Sequence, residues 1–260
     1  MTAAHTVDGP VLDELTALCR RLRLKYVREH MSDVLATAKA QRWDPAETLR
    51  VLLEAEVEGR DQAGVEARRK KARFPAGKTF DVWDETRSSI PAATQSGLRT
   101  LEWVGRTENL VICGPSGTGK SHFCEALGHV AIDNGLTVTW FSIADLGGLI
   151  RRHRVDDSIG KAFNTILRSD LVIVDDIGLL PISADAAEGF YRLVDVCYEH
   201  RSLAVSTNLH PSAFDQLIDR NLASALVDRL LHHAHVIITE GDSIRLADAT
   251  AGKGVQPLTD

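Results

Sequence analysis

The sequence predicts an α/β protein in which a parallel β-sheet with connecting helices follows a small all-α unit. Between residues 109 and 248, five short apolar runs alternate with helical segments, as strands and crossover helices do in a parallel sheet. From residue 11 to about residue 72, leucines recur at spacings of three and four and proline is nearly absent, which is a helical pattern. The 260 residues suffice for one medium domain and one small domain.

The first element is the all-α unit, to which we assign residues 1–75. Asp44, Pro45 and Glu47 mark the start of a helix, because an acidic N-cap and a proline in the first turn are typical of that position. The apolar spacing continues this helix to about Ala72, so the unit contains two or three helices. Residues 76–108 lack a strong period and contain prolines and glycines, and we expect a linker with one short helix.

The sheet domain covers residues 109–248, and residues 249–260 are expected to be a disordered tail. Its predicted strands are the apolar runs 110–113, 137–141, 171–174, 203–206 and 236–238. Glycines follow the first run at once, and the residues after it are helical in pattern. This strand–loop–helix order is the setting in which a phosphate-binding loop occurs.

Composition excludes several classes of protein. No apolar run approaches the roughly 18 residues of a membrane-spanning helix, and the first ten residues contain no basic segment followed by an apolar one. The four cysteines are far apart and form no metal or disulfide spacing: Cys19, Cys113, Cys124 and Cys197. We therefore expect reduced thiols, a cytoplasmic location and no association with a membrane.

The loop Gly114-Pro115-Ser116-Gly117-Thr118-Gly119-Lys120-Ser121 matches the pattern G-x-x-x-x-G-K-[ST] at every fixed position. The glycines let the backbone turn its N–H groups toward phosphate oxygens, and the following helix adds the positive end of its dipole. Lys120 is expected to reach the β- and γ-phosphates, and the Ser121 hydroxyl to bind Mg²⁺. The loop therefore predicts binding of ATP and Mg²⁺.

Two carboxylates, Asp175 and Asp176, end the apolar strand 171–174. Ligands bind at the carboxyl ends of parallel strands, so both side chains are expected near the phosphate loop. Asp175 would hold Mg²⁺, directly or through water, and Asp176 would polarise the attacking water. The alternative is that either residue simply caps the segment that follows.

Asn208 and Arg229 are two further candidates. Asn208 follows the strand 203–206, where its amide would orient water beside the γ-phosphate, although Asn is also common where a strand enters a turn. Arg229 lies on a predicted helix late in the domain. It would act on the nucleotide of a neighbouring subunit, as an arginine finger does, or would merely pair with a carboxylate of its own helix.

Net charge is unevenly distributed along the chain. Residues 1–78 hold 15 Lys and Arg against 12 Asp and Glu, although the whole chain has a net charge of −6. Two basic clusters are candidates for DNA binding: Arg68, Arg69, Lys70, Lys71 and Arg73 in the first, and Arg151, Arg152 and Arg154 in the second. No aromatic residue lies within either cluster, which favours backbone contacts to duplex DNA over base stacking on single strands. The alternative is that each is a solvated helix end.

These motifs together resemble the IstB-type transposition helper ATPases, which belong to the AAA+ initiator clade with DnaA and the DnaC-type helicase loaders. The resemblance rests on GPSGTGKS, LVIVDD, STN and ALVDRLLHHAHVI with GDSIR, and on the N-terminal segment LLEAEVEGRDQAGVEARRKKARFPAGKTF. It covers roughly residues 10–248. The N-terminal segment and the DRL and GDSIR stretches narrow the choice within the clade.

The resemblance implies a role for each candidate residue. Asp175 is the Walker B metal residue, Asp176 occupies the place of the catalytic acid, Asn208 is sensor 1 and Arg229 is the candidate finger. Asp176 stands where many members of the clade have Glu, which implies slow hydrolysis. Ala225 replaces a second Arg that helicase loaders can carry. Too few residues follow the five-stranded core for a full C-terminal lid, so the AAA+ domain is expected to have a truncated lid or none.

The predicted function is therefore an ATPase that oligomerises on duplex DNA, with ATP at subunit interfaces, and assists a partner transposase of the integrase type. The alternative is a DnaC-like helicase loader that binds single-stranded DNA and a replicative helicase. A small-molecule kinase with the same phosphate loop is a third possibility. It would need an acceptor-binding insertion between the strands, and the sequence shows none.

Overall fold

The structure, a computed structural model, describes residues 9–154, 158–178, 182–216 and 220–251. The chain divides into two compact units, Met1–Ala67 and Arg68–Asp260. Within the described residues, none of the helices combines the length and the apolar character needed to cross a bilayer.

The described residues of the first unit form three helices: α1 (Gly9–Leu22), α2 (Lys25–Gln41) and α3 (Pro45–Ala72), whose last turn belongs to the second unit. The predicted start of α3 is confirmed, since the Asp44 carboxylate accepts a hydrogen bond from the N–H of Ala46 at 2.8 Å. The core of the first unit is a small apolar cluster of Leu12, Leu15, Cys19, Leu24, Val27, Met31, Leu35 and Leu52.

Glu56 is buried at the contact between α2 and α3. Its carboxylate accepts the N–H groups of Tyr26 at 2.8 Å and Val27 at 3.0 Å, which are free because they lie in the first turn of α2. Arg60 donates to the same carboxylate at 2.7 Å. Burial acts to raise the pKa of Glu56, but these hydrogen bonds outweigh it and the pKa is lowered.

The second unit holds a five-stranded parallel sheet: β1 (Asn109–Cys113), β2 (Val138–Ser142), β3 (Leu171–Ile177), β4 (Ser202–Thr207) and β5 (Ala234–Ile238). Its helices are α4 (Ala92–Arg99), α5 (Glu102–Gly105), α6 (Lys120–Asp133), α7 (Ile143–Arg154), α8 (Ile159–Ile166), α9 (Ala184–Cys197), α10 (Arg220–Leu231) and α11 (Ile244–Thr250). The five predicted strands are confirmed, and their ends differ from the predicted ones by at most three residues.

The strand order is β2-β3-β4-β1-β5, and every neighbouring pair is parallel. Helices cover both faces of the sheet, so its central strands are buried throughout and read as continuous apolar runs. One face, with Val172 and Val174, packs against α7, α9 and α10. The other face carries Ile173 toward α6, where the side chain approaches Gly128. Asp175, two residues beyond Ile173, therefore emerges on the α6 side.

Residues 76–108 differ from the expected linker with one short helix. They contain two 3₁₀ turns, Phe80–Val82 and Glu85–Arg87, as well as α4 and α5, and they belong to the second unit. Aromatic packing explains the difference, because the rings of Phe80 and Trp83 lie 5.4 and 5.5 Å from the ring of Phe123 on α6. The boundary between the units falls after Ala67, inside α3, rather than at residue 75.

Candidate functional site

The phosphate loop joins β1 to α6, as the sequence predicts. Gly117 and Gly119 have φ angles of +89° and +91°, which side chains other than glycine rarely adopt. Both are also closely covered. A Cβ atom on Gly117 would lie 2.1 Å from Oγ of Ser243, and one on Gly119 would lie 2.8 Å from the ring of Trp83. Close approach and backbone conformation therefore both require glycine at these two positions.

Lys120, the first residue of α6, is 5% exposed. Its ammonium donates to the carbonyl oxygens of Gly114 at 2.8 Å and Pro115 at 2.7 Å, and to Oδ1 of Asn208 at 2.9 Å. Burial lowers the pKa of Lys120, while the charges of Asp176 and Asp175 act in the opposite direction. The lysine is thus the point at which the loop and the end of β4 meet.

The two carboxylates lie at the end of β3 and face different surroundings. Asp175 is 7% exposed, and one of its oxygens accepts a hydrogen bond from the Ser206 hydroxyl. Asp176 is exposed and lines the same pocket as the phosphate loop. Although the residue as a whole is exposed, partial burial of its carboxylate raises the pKa of Asp176, and the charge of Asp175 raises it further.

A pocket of about 230 Å³ opens beside the loop, and three chain segments line it. The first segment is the loop and the start of α6, to which Asp176 and Asn208 add their side chains. The second lies in the predicted linker and contributes Lys78, Val82, Trp83, Asp84 and Arg87. The third is the start of α11, with Ile244, Arg245 and Asp248. Residues of the second and third segments are absent from the site that the sequence predicts.

The segment from Thr239 to the start of α11 is hydrogen-bonded to the loop. The hydroxyls of Thr239 and Thr118 are hydrogen-bonded at 2.8 Å, and the N–H of Ile244 donates to the carbonyl of Gly117 at 3.0 Å. Across the pocket, Arg87 and Asp248 form an ion pair at 2.9 Å, which joins the second segment to the third. The start of α11 therefore lies against the loop.

The donor set fits a nucleotide with a divalent cation. Lys120 offers three N–H groups and lines the pocket. Ser121 is half-buried at the start of α6 and lines the pocket, and Asp175 provides a carboxylate at the end of β3. Hydroxyl and carboxylate oxygens are ligands suited to Mg²⁺.

Arg229 lies on α10, outside the group of described residues that line this pocket. Its guanidinium is 3.5 Å from Asp195 and donates to the hydroxyl of Tyr191 at 3.2 Å, and both partners are on α9. Hydrogen bonding to Tyr191 raises the pKa of Arg229, and the charge of Asp195 adds to this. The arginine is thus charged, half-buried and held by a neighbouring helix rather than by its own.

The two basic clusters differ in how far acids neutralise them. In the second cluster, Arg154 pairs with Asp185 at 2.9 Å and Glu188 at 2.7 Å, and Arg151 lies 3.6 Å from Asp185. Arg152 is exposed.

In the first cluster, Arg69 pairs with Asp133 at 2.7 Å, and Arg68 is half-buried with its Nε unbonded among the described residues. Lys70, Lys71 and Arg73 are exposed, and within the described part of the chain no ion pair involves them. The first cluster therefore leaves more of its charge available to an anionic partner.

Comparison with known proteins agrees with this geometry. Residues 17–251 match the family described as IstB-like ATP binding protein. The chain is 31% identical over 255 residues to the insertion sequence IS21 putative ATP-binding protein of Pseudomonas aeruginosa, and the match covers 96% of each chain. It is also 31% identical to the insertion sequence IS232 putative ATP-binding protein of Bacillus thuringiensis subsp. berliner, over 90% of this chain and 95% of the relative.

Among solved structures, the chain resembles AMPPCP-bound DnaA from Aquifex aeolicus, with a TM-score of 0.52 and 18% identity. The superposition covers 71% of this chain and 58% of the DnaA chain. At this identity the likeness shows the fold alone. The second unit therefore has the P-loop AAA+ fold that the sequence predicts.

Proposed function

The chain belongs to the IstB-like ATP-binding proteins, and from this we propose that it is a DNA-binding ATPase that assembles on duplex DNA and assists a transposase. ATP binding and the relation to insertion sequences come with the family. Hydrolysis, the use of Mg²⁺, the binding of DNA, assembly and the partner are the parts that we propose.

The proposal of ATP hydrolysis rests on four side chains that lie together at the carboxyl edge of the sheet. Lys120 contacts Asn208 at 2.9 Å, and the paired carboxylates Asp175 and Asp176 end the adjacent strand. A cation, an amide and two acids from three different segments are the set that positions a phosphate and activates water beside it. Binding alone would need the lysine and the loop but not Asp176 and Asn208.

We assign the steps as follows. Lys120 and the loop N–H groups would bind the β- and γ-phosphates, and Asn208 would orient a water molecule toward the terminal phosphorus. Asp176 would accept a proton from that water. The water oxygen would attack the terminal phosphorus while the terminal phosphoanhydride bond breaks and ADP leaves. Ser121 and Asp175 would hold Mg²⁺, which when bound neutralises charge on the phosphate oxygens. Asp176 is one methylene shorter than Glu, so we expect slow turnover.

Assembly is inferred from the position of Arg229. It is not among the described residues that line the pocket of its own chain. Its positive charge is held in place by Asp195 and Tyr191 of α9. We propose that it reaches the nucleotide bound to a neighbouring subunit. ATP would then join subunits, and its hydrolysis would loosen them, which makes the assembly dependent on the nucleotide.

DNA binding is inferred from the exposed charges Lys70, Lys71 and Arg73 near the end of α3, with Arg152 as a further candidate. Such residues would contact phosphates, so binding would be sensitive to salt and indifferent to sequence. Phosphate oxygens would have to compete with Asp133 for Arg69, and with Asp185 and Glu188 for Arg151 and Arg154. An array of subunits joined by ATP would add avidity to weak single contacts.

The partner is proposed from the family. The relatives are named as putative ATP-binding proteins of insertion sequences, and the resemblance to the IstB-type transposition helpers implies a transposase as the partner. We propose that the assembly presents duplex target DNA to a transposase of the integrase type.

The test is to replace Lys120 with Ala. We expect K120A to lose ATP-dependent assembly, measured by sedimentation, and ATP-dependent binding to duplex DNA, measured by fluorescence anisotropy. Lys161, exposed on α8, provides a control, and K161A should assemble and bind as the wild type does. Full assembly of K120A with ATP on DNA would overturn the nucleotide-dependent part of the proposal. A preference of the wild type for single strands would instead favour the helicase-loader alternative.

A further inference from the structure

We propose that Ser206 is a positioning residue that orients both carboxylates of the site, Asp175 and Asp176. The proposal rests on the ATPase function proposed above, because it concerns how that site holds its cation. It assigns a role to a residue of β4 that precedes Asn208 by two positions and does not itself line the pocket among the described residues.

The first observation is an irregularity in the pairing of β3 with β4. Val174 lies opposite Val205, and Ile177 lies opposite Thr207, so β3 has one residue more than β4 between these two pairs. Asp175 and Asp176 together face Ser206, which is the arrangement of a β-bulge. Bulges bend a strand and redirect a side chain, and here the redirected side chain is that of Asp176.

The second observation is that the Ser206 hydroxyl bonds to both residues of the bulge. It donates its hydrogen to Oδ1 of Asp175, and its oxygen accepts the backbone N–H of Asp176 at 3.2 Å. Ser206 is fully buried, so water does not compete for either bond. One side chain thus holds the carboxylate of the first acid and the backbone of the second.

The third observation is the backbone of Asp176, whose φ of +59° lies in the left-handed region. A residue with a side chain adopts this conformation at a cost, and it persists where surrounding bonds hold it. The bond from its N–H to Ser206 is such a bond, and the resulting conformation puts the Asp176 carboxylate on the pocket wall.

For Asp175 the consequence concerns the metal. Because Oδ1 accepts the serine hydrogen, the rotation of the carboxylate is fixed and the other oxygen is left for the cation. Outer groups that orient a metal ligand typically contribute 10- to 100-fold to metal affinity. Removal of the hydroxyl should therefore weaken the response to Mg²⁺ more than it weakens the binding of the nucleotide itself.

Ser202 offers a matched control on the same strand. It too is fully buried, and its hydroxyl donates to the carbonyl of Val104 at 3.4 Å, at the other end of β4 from the carboxylates. Ser202→Ala removes a buried hydroxyl from the same strand without touching Asp175 or Asp176. An effect of burial alone would appear in both variants, whereas positioning of the carboxylates would appear only in Ser206→Ala.

The experiment measures the Mg²⁺ concentration that half-activates ATP hydrolysis, together with the affinity for a fluorescent ATP analogue in EDTA. We expect S206A to need about tenfold more Mg²⁺, with its affinity in EDTA unchanged, and S202A to match the wild type in both. Ser206→Thr keeps the hydroxyl and should restore a nearly normal Mg²⁺ requirement. Ser206→Cys keeps the volume but donates weakly, and it tests the proposal if S206A does not fold.

An unchanged Mg²⁺ requirement in both S206A and S206C would overturn the role of Ser206. So would an equal shift in S202A. These results differ from a failure of the ATPase function itself, in which the wild type would neither bind the analogue nor hydrolyse ATP at any Mg²⁺ concentration.

Discussion

At the scale of single residues, the contact between Lys120 and Asn208 would link the proposed binding of a nucleotide to the position of the Asn208 amide. An ammonium has three N–H groups, and in this structure they are directed to the carbonyls of Gly114 and Pro115 and to the amide oxygen of Asn208. Phosphate oxygens that bind Lys120 must replace some of these acceptors. Displacement of Asn208 from Lys120 would release its amide to bind water, so binding of the phosphate and availability of the amide would be coupled under the proposed mechanism.

Glu108 is a second residue whose charge has a defined use, in this case for stability. It precedes β1, accepts from Arg106 at 2.7 Å and contacts Nε2 of His235 on β5 at 2.7 Å. Hydrogen bonding lowers the pKa of Glu108 to about 2, with the larger effect from Arg106 and the smaller from His235. A carboxylate with a lowered pKa stabilises the fold above its ordinary pKa, and that contribution is lost as pH falls toward the folded value.

We therefore predict that Glu108→Gln lowers the free energy of unfolding at pH 7. The difference from the wild type should decrease below about pH 4.5 and fall by more than half by about pH 3, because the wild type then loses the same charge. Urea unfolding at a series of pH values measures it. Glu66→Gln, at an exposed site on α3, controls for the loss of one acid. A difference that stays constant down to pH 3 would contradict the assignment.

At the scale of elements, the contact between α2 and α3 depends on a glycine. A Cβ atom on Gly59 of α3 would lie 2.2 Å from Cγ of Tyr26 on α2. Cγ is the inner end of the tyrosine ring, so the ring cannot move away without a shift of the helix. The neighbouring Glu56 ties the same two helices through the N–H groups of Tyr26 and Val27, which limits that shift.

We predict that Gly59→Ala destabilises the first unit by about 1–3 kcal/mol, as overpacking does in other cores. Gly160 on α8 has no atom within 4 Å of its Cβ position, so Gly160→Ala should be neutral or stabilising by about 0.5–1 kcal/mol. Hydrogen exchange of α2 amides measures the effect where it arises. Addition of Tyr26→Ala should relieve the clash, and its failure to restore any protection would contradict the packing argument.

Elements of the sheet and the loop were predictable from local sequence, because each depends on a short pattern. The strand 171–174 is an apolar run, and Gly114–Ser121 is a contiguous motif. The bulge at Asp175–Asp176 was not predictable, since Asp176 becomes left-handed through a bond to Ser206, thirty residues away.

The second and third pocket segments were missed for the same reason. Trp83 packs on His122 and Phe123, and Arg87 pairs with Asp248, more than 150 residues later. Two signals could have found them: a tryptophan in a segment without helical period, and the arginine of GDSIR, Arg245, which lines the pocket.

At the scale of the whole molecule, the exposed cations near the end of α3 predict how DNA binding responds to salt. Each phosphate contact that is lost should reduce the slope of log affinity against log salt by about 0.9 for duplex DNA. The double variant Lys70→Ala with Lys71→Ala should therefore reduce the slope by about 2. Lys39→Ala with Lys161→Ala removes the same charge elsewhere and should leave the slope unchanged. Equal slopes in both double variants would exclude Lys70 and Lys71 as contacts to DNA phosphates.

The assembly itself can be tested by mixing two inactive chains. Asp176→Asn should bind ATP and still present Arg229, while Arg229→Ala should retain its own Asp176. If Arg229 acts on the neighbouring nucleotide, each variant alone is inactive. A 1:1 mixture then forms hybrid sites and recovers about a quarter of the wild-type rate. If Arg229 acts only within its chain, through Asp195 and Tyr191 on α9, no mixture regains activity.

A charge-conserving control separates the two roles of this arginine. Arg229→Lys keeps a cation beside Asp195 but loses the planar fork that suits phosphate oxygens. This variant should keep the thermal stability of the chain and lose most of the ATP hydrolysis. A 1:1 mixture with the Asp176→Asn variant should recover activity, as the mixture with Arg229→Ala does. Full activity in Arg229→Lys alone would contradict a role for the planar guanidinium at the interface.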